Sequence, residues 1–296
     1  NDFMNKALRG ICFYTHERLI FMITQDKIAP HPDLRILDIE TILPHETHDS
    51  QRSFPLIATL KKAEFLTNPP IVAPMGEDNE RFVVLDGANR TFSFRDLGYR
   101  HLLVQVAPYD AGYVDLGVWQ HVVSNWSEDA FKEALYELEH VHIKPGWDHT
   151  AVAQILLHDG SVLGVHGENE TPAERNSTLR AVVSVYQRTA TLSRTALTDP
   201  TVIWSLYPDA VAVVLFPPYS AEDIITAARE KAFLPPGVSR HIIQGRALKL
   251  NFPLNILTDL TMSLEVKNAY LRQWIQRKLT NRAVRYYAES TYQFDE

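Results

Sequence analysis

Hydrophobic and polar positions change period several times along the chain, and each change predicts an element. Leu8, Ile11, Cys12, Leu19, Ile20 and Ile23 recur near helical spacing, predicting a helix over 5–23 ahead of the Pro30-His31-Pro32 break. Alternation over 34–43 predicts a strand. Ser53 reads as an N-cap, with Pro55 early in a helix to about residue 65, and 71–73 as the next strand. The stretch 81–106 is the most regular. Phe82, Val83 and Val84 mark a strand, Asp86-Gly87 a turn, 88–97 a helix stopped by Gly98, and 102–106 a second strand.

The second half continues the mixture. One strand is predicted over 114–123, then a Ser127-capped helix over 128–139. A hairpin joins 151–157 to 161–165 through Asp159-Gly160. A long helix is predicted over 172–196, with Val182, Val185 and Tyr186 inward. Strands follow at 201–206 and 210–216, and a helix at 221–231. Gly237 supplies a turn. The final helix, over 263–279, repeats Leu264, Asn268, Leu271 and Ile275 on one side. The expected fold class is mixed α/β (α+β), with a helical arm at 1–33, a small α/β domain at 34–110 and a second mixed α/β domain at 111–296.

Composition narrows the functional classes. A net charge of −7 and a sequence pI near 6.0 oppose a generally basic nucleic-acid surface. A single cysteine, Cys12, excludes an internal disulfide framework and suits a reducing, cytoplasmic setting. No apolar run approaches the ~20 residues of a membrane span. Residues 1–30 lack the pattern of a signal peptide, and the start at Asn1 suggests an absent or trimmed beginning.

Three places carry candidate chemistry. In Asp86, Gly87, Ala88, Asn89, Arg90 and Thr91, an acid stands at a helix entrance, where it would cap amides. A cation, Arg90, stands in the first turn, where it is disfavoured unless an anion lies beside it. Free amides, a glycine and a guanidinium make a phosphate site; an Asp86–Arg90 pair forming a solvated cap is the alternative. Pro44-His45-Glu46 ends a strand in a polar loop. His45, His48, Glu46 and Asp49 lack the helical spacing of a zinc site. Ser239-Arg240-His241 aligns a hydroxyl, a guanidinium and an imidazole, able to hold an amino-acid carboxylate or a phosphate, or else to form an edge strand.

LDGANR followed by a helix and LG resembles the signature loop of the ParB/sulfiredoxin-like superfamily, and LDIETILPHE and NPPIVAP resemble its other landmarks. Within that superfamily the likeness is to free L-serine kinases and covers most of 34–296. The resemblance implies a kinase forming O-phospho-L-serine from free L-serine and ATP or ADP. It makes Glu46 the general base and the 86–91 turn the seat of the nucleotide phosphates. Ser239, Arg240 and His241 resemble that family's substrate-binding segment, and the family's aromatic stretch would put Trp119, Gln120 and His121 near the pocket, while Trp119 by itself reads as a core residue. Asp86 would hold Mg²⁺ against the nucleotide, or orient the serine hydroxyl with Glu46. Sulfiredoxin chemistry is excluded, because Ala88-Asn89 stands where that enzyme carries its cysteine. The resemblance leaves two other readings: a ParB-like, nucleotide-responsive DNA-binding regulator using the basic stretch Arg272 to Arg285, or a catalytically silent metabolite sensor. The apolar faces of the arm and the final helix leave a homo-oligomer open.

Overall fold

The computed structural model describes residues 30–76, 80–169 and 171–287; the predicted helix over 5–23 lies outside them. The first strand, β1 (Asp33–Asp38), ends early because the Asp38 carboxylate accepts the Glu40 N–H (3.0 Å) and starts a 3₁₀ turn. The strand expected over 34–43 is therefore two pieces, with β2 (Ile42–Leu43) delivering His45 and Glu46. Helix α1 (Ser50–Leu60) is capped by Asp49, whose carboxylate accepts the Gln51 N–H (3.0 Å); Ser53, the expected cap, is buried inside the helix. Next come β3 (Phe65–Leu66), β4 (Ile71–Pro74), β5 (Phe82–Asp86), α2 (Ala88–Asp96) and β6 (His101–Val106). These match the expected strand–turn–helix–strand.

The run over 114–123 is two strands, β7 (Val114–Val118) and β8 (Gln120–Ser124), which join different sheets. Trp119 is the break. Its N–H donates to Val238 O (2.8 Å), in register with the β7/β14 ribbon, and the chain enters the second sheet from Gln120. Helix α3 (Glu128–Tyr136), capped by Ser127, precedes β9 (Val141–Pro145), β10 (Ala153–Leu157) and β11 (Val162–Gly167), the last two forming the predicted hairpin. Helix α4 (Pro172–Gln187) is shorter than expected, because Thr191–Thr195 pairs with β8 as β12. The strand expected at 201–206 is a helix, α5 (Pro200–Leu206): Asp199 as N-cap and Pro200 in the first turn outweigh the β-branched residues after them. Then follow β13 (Ala210–Leu215), α6 (Ala221–Arg229), β14 (Ser239–Ile243), β15 (Phe252–Pro253), α7 (Leu254–Thr258) and α8 (Leu264–Thr280).

One sheet has the order β1-β6-β4-β5-β2, mixing parallel and antiparallel pairs. A second, wholly antiparallel, has the order β12-β8-β13-β10-β11-β9. β14 pairs with β7 in a separate ribbon. Residues His31–Tyr286 form one compact unit. One face of the first sheet shares a core with the second through Ile71, Ala73, Val83 and Leu85. The opposite face, through Val72, Val84 and Leu103, packs on Phe252, Leu257 and Leu271 from the chain's far end. Asn268 of α8 seals the free edge of β1, taking the Ile36 N–H on Oδ1 (2.9 Å) and donating to Ile36 O (2.8 Å).

Candidate active site

Five segments meet at a cavity of about 450 Å³: the loop after β2, the first turn of α1, the β5–α2 turn, the ribbon β7/β14 with Trp119 and its flanking residues, and the edge strand β12. Each side chain arrives for a local reason. The loop after β2 is held by backbone bonds to the segment before β14, Thr47 N–H to Leu234 O (3.0 Å) and Leu234 N–H to His45 O (2.9 Å). That fixes Glu46 opposite Gly237, whose N–H donates to Glu46 Oε2 (2.9 Å). Burial pushes the Glu46 carboxyl up to about 7, against the lowering effect of the Gly237 N–H and the Arg194 guanidinium.

The buried histidines have fixed roles. His45 Nδ1 lies 2.7 Å from Val84 O, a pure acceptor, so Nδ1 carries the proton. Burial lowers His45 to about 4, so the ring is neutral and Nε2 accepts the Ser239 hydroxyl proton (2.7 Å). Ser239 therefore has only lone pairs left for the cavity. The same logic applies to His121: Nε2 donates to Gly237 O (3.1 Å), and Nδ1 accepts from the Tyr186 hydroxyl (2.8 Å). His121 thus steadies Gly237 from behind. His241 Nε2 lies 2.7 Å from the Tyr109 hydroxyl, and burial, then the neighbouring His45, lowers His241 to about 3.

Arginines dominate the charge. Arg52, Arg194, Arg240 and Arg246 line the cavity against two acids, Glu46 and Asp86. Arg240 stacks on Trp119, its Cζ 4.6 Å from the ring centroid. Trp119, expected in the core, is half-buried and forms part of the cavity wall. Gln120 is buried and its Oε1 accepts the Phe216 N–H (2.7 Å), so it supports the sheet.

The 86–91 turn divides in two. Asp86 and Gly87 face the cavity. Asp86 does not cap α2; its Oδ2 pairs with Arg90 (3.3 Å) and with Arg246, so the acid is already neutralised by two guanidiniums. Gly87 is itself the N-cap, with φ +90° and no side-chain bond to the first amides, so the start of α2 is open. A side chain there would press on Arg90 and Pro70. Asn89 Oδ1 accepts the Asp49 N–H (2.9 Å), Arg90 also donates to Asn68 O (2.8 Å), and the Thr91 hydroxyl donates to Gly87 O (3.1 Å). Ala88 is the first residue of the helix. These four shape the turn from behind.

Sequence reasoning missed Arg52, Arg194 and Arg246. Each sits in a different segment with no chemical motif around it, and only folding brings them together. Gly237 had a signal, its place after Pro235-Pro236, but not its partnership with Glu46.

No protein-family model matches the chain. It is 23% identical over 267 residues to the ATP-dependent L-serine kinase SbnI of Staphylococcus aureus (strain NCTC 8325 / PS 47), covering 88% of this chain and 97% of that one. Among solved structures it resembles SbnI with a C-terminal truncation, from Staphylococcus aureus, with a TM-score of 0.67 at 21% identity over 86% of this chain and 100% of that one. A free serine kinase in complex with AMP also gives 0.67, at 13% identity over 77% of this chain and 95% of the other. The mixed α/β architecture is thus shared with serine kinases.

Proposed function

We propose that this chain is a phosphotransferase of the ParB/sulfiredoxin-like kind that converts free L-serine to O-phospho-L-serine, with ATP or ADP as donor. One observation carries the reading: a half-buried carboxylate, Glu46, tuned to about 7 and lining a guanidinium-rich cavity. A base poised near working pH suits activation of a weakly acidic hydroxyl, and the guanidiniums suit a phosphoryl group. The curated relative and the solved structures named above, both serine kinases, supply the substrate class.

With Oε2 held by Gly237, Glu46 has Oε1 for the substrate proton. As that proton moves to Glu46, the serine oxygen forms its bond to phosphorus and the bond to the leaving nucleotide breaks. Arg240, held flat on Trp119, is placed for the serine carboxylate, and Ser239, an acceptor toward the cavity, for its ammonium. The donor phosphates run along the Asp86-Gly87 turn and the open start of α2.

Among the described residues no cluster of three or more His, Cys, Asp or Glu could hold a metal unaided. Magnesium fits as an ion carried by the phosphates, with Asp86 as its protein ligand through the oxygen not engaged by Arg90 and Arg246. Bound there, it would neutralise charge on the phosphate oxygens.

Phosphorus NMR of the purified protein with L-serine, magnesium and either ATP or ADP tests the activity and identifies the donor. A phosphoserine resonance is expected in one tube. Glu46→Gln should cut turnover by about 10²-fold or more while nucleotide affinity stays. Turnover undiminished in that variant removes Glu46 as base, and no product in either tube removes serine as acceptor.

A further inference from the structure

Among the described residues, Ser239 alone brings a side-chain hydroxyl to the cavity wall, and its setting exceeds what an acceptor for the substrate ammonium requires. As the first residue of β14 it pairs in register with Val118, so the ribbon fixes its place. Its hydroxyl points at His45 Nε2 (2.7 Å). His45 is 1% exposed, held at Nδ1 by Val84 O (2.7 Å) and packed edge-on against the His241 ring, with 5.5 Å between centroids. A hydroxyl, an imidazole that accepts from it, and a third group that orients the imidazole form the arrangement that activates a serine oxygen in covalent catalysis. Here the third group is a backbone carbonyl.

The proton of Ser239 faces the imidazole, and its lone pairs face a space walled by Arg194, Arg240 and Arg246. Guanidiniums there suit the outer oxygens of a phosphoryl group. Burial holds His45 near 4, so the ring is a weak base but is neutral wherever proteins work. Phosphoryl transfer asks little of the base, because its transition state is loose, with little bonding to the attacking oxygen. Glu46, near 7, is the stronger base, so a bound free serine reacts first.

We propose that Ser239 is an internal acceptor: when no free serine occupies the cavity, its hydroxyl takes a phosphoryl group from the nucleotide. The bond from Oγ to phosphorus forms as the bond from phosphorus to the leaving nucleotide oxygen breaks, and the hydroxyl proton passes to His45 Nε2. The imidazolium so formed lies against the new phosphate, which compensates its charge. A phosphate on Ser239 fills the seat of the serine ammonium and is held by the surrounding guanidiniums, so the modified protein is blocked toward free serine. The donor rests on the kinase reading; the Ser239–His45–Val84 geometry does not.

The test uses the full chain in two samples without serine. One receives magnesium with ATP or ADP. The other receives a fluorophosphonate, which loses fluoride to an activated serine and needs no nucleotide. Intact mass and peptide mapping locate the adduct, and mapping on the parent protein makes the answer independent of how any variant folds. One adduct per chain, on Ser239, is expected in both samples, suppressed by added L-serine. Ser239→Ala should abolish both. His45→Gln, which still offers an acceptor to the hydroxyl but cannot take its proton, should slow both by about tenfold or more. An adduct on another residue, or no adduct in either sample, overturns the proposal, and labelling of His45→Gln at the parental rate overturns His45 as the proton acceptor. A fluorophosphonate adduct without a nucleotide-derived one, in protein that does phosphorylate free serine, overturns the internal transfer. If free serine is never phosphorylated, the kinase reading falls by itself, and the fluorophosphonate sample still decides whether Ser239 is a nucleophile.

Discussion

Burial holds Glu46 near pH 7, so the charge of the proposed base is decided within the range where proteins work. Two consequences follow from the same shift, with opposite signs. For catalysis the carboxylate is the active form, so kcat/KM for L-serine should rise with pH through an inflection near 7. The Arg194 charge lowers that value, so Arg194→Met should move the inflection upward; an inflection that stays in place would show that the two groups do not interact. For stability the protonated form is favoured. The folded value is raised from 4.5, so Glu46 contributes most below pH 4.5 and its contribution is lost as pH rises through 7. At pH 8 a neutral Glu46→Gln should therefore be more stable than the parent, by up to about 3 kcal/mol. The base and the strain it puts on the fold have one origin.

At the scale of elements, α8 serves the first sheet as an edge cover. Asn268 satisfies both backbone groups of buried Ile36 on the open side of β1. Replacing it with Ala would leave both unpaired and should cost about 1–3 kcal/mol in urea unfolding; a loss below the error of the measurement would show that water replaces the amide. Elements of this kind were partly legible. The unit from β5 to β6 was readable because strand, turn and helix each carry their own local chemistry, and the spacing of Leu264, Asn268, Leu271 and Ile275 placed α8. The break at Trp119 was not, since nothing between Val118 and Gln120 differs from a continuous strand until β7 pairs with β14 and β8 with β12 and β13. Nor was β12, whose residues continue a helical pattern and become a strand only by pairing with β8. The site followed the same division. Glu46, Asp86 and Ser239 to His241 sit in motifs that are contiguous in sequence, while Arg52, Arg194 and Arg246 acquire meaning only from their common destination.

Across the whole molecule, three histidines around the cavity weaken the fold in acid, and His101, which burial also lowers, acts in the same direction. Burial keeps His45 and His121 near 4 and His241 near 3, well under the ordinary 6.5. Each is neutral when folded and takes a proton when unfolded, so stability is lost as pH falls below 6.5 toward these values. Glu46 works against them in the same interval. From these four groups alone, the three histidines and Glu46, the unfolded chain should bind about two more protons than the folded one between pH 5 and 6, and about three more in Glu46→Gln. Urea midpoints against pH measure this slope, and a flat profile would mean that the three rings are not shielded from protonation in the folded chain. All three lie around one loop, the one that carries Gly237, so acid attacks the fold where the proposed chemistry sits.

Gly237 gives Glu46 its hydrogen bond on one side and gives Arg194 its resting place on the other, with a positive φ between. In evolutionary terms this position is costly to change. Every residue a glycine codon reaches by a single base change has a Cβ, and that atom would evict the guanidinium. Asparagine, which tolerates such a backbone better than most, needs more than one change and meets the same obstacle. A descendant that has lost its glycine at this point must re-seat the Arg194 side chain and accept a strained backbone.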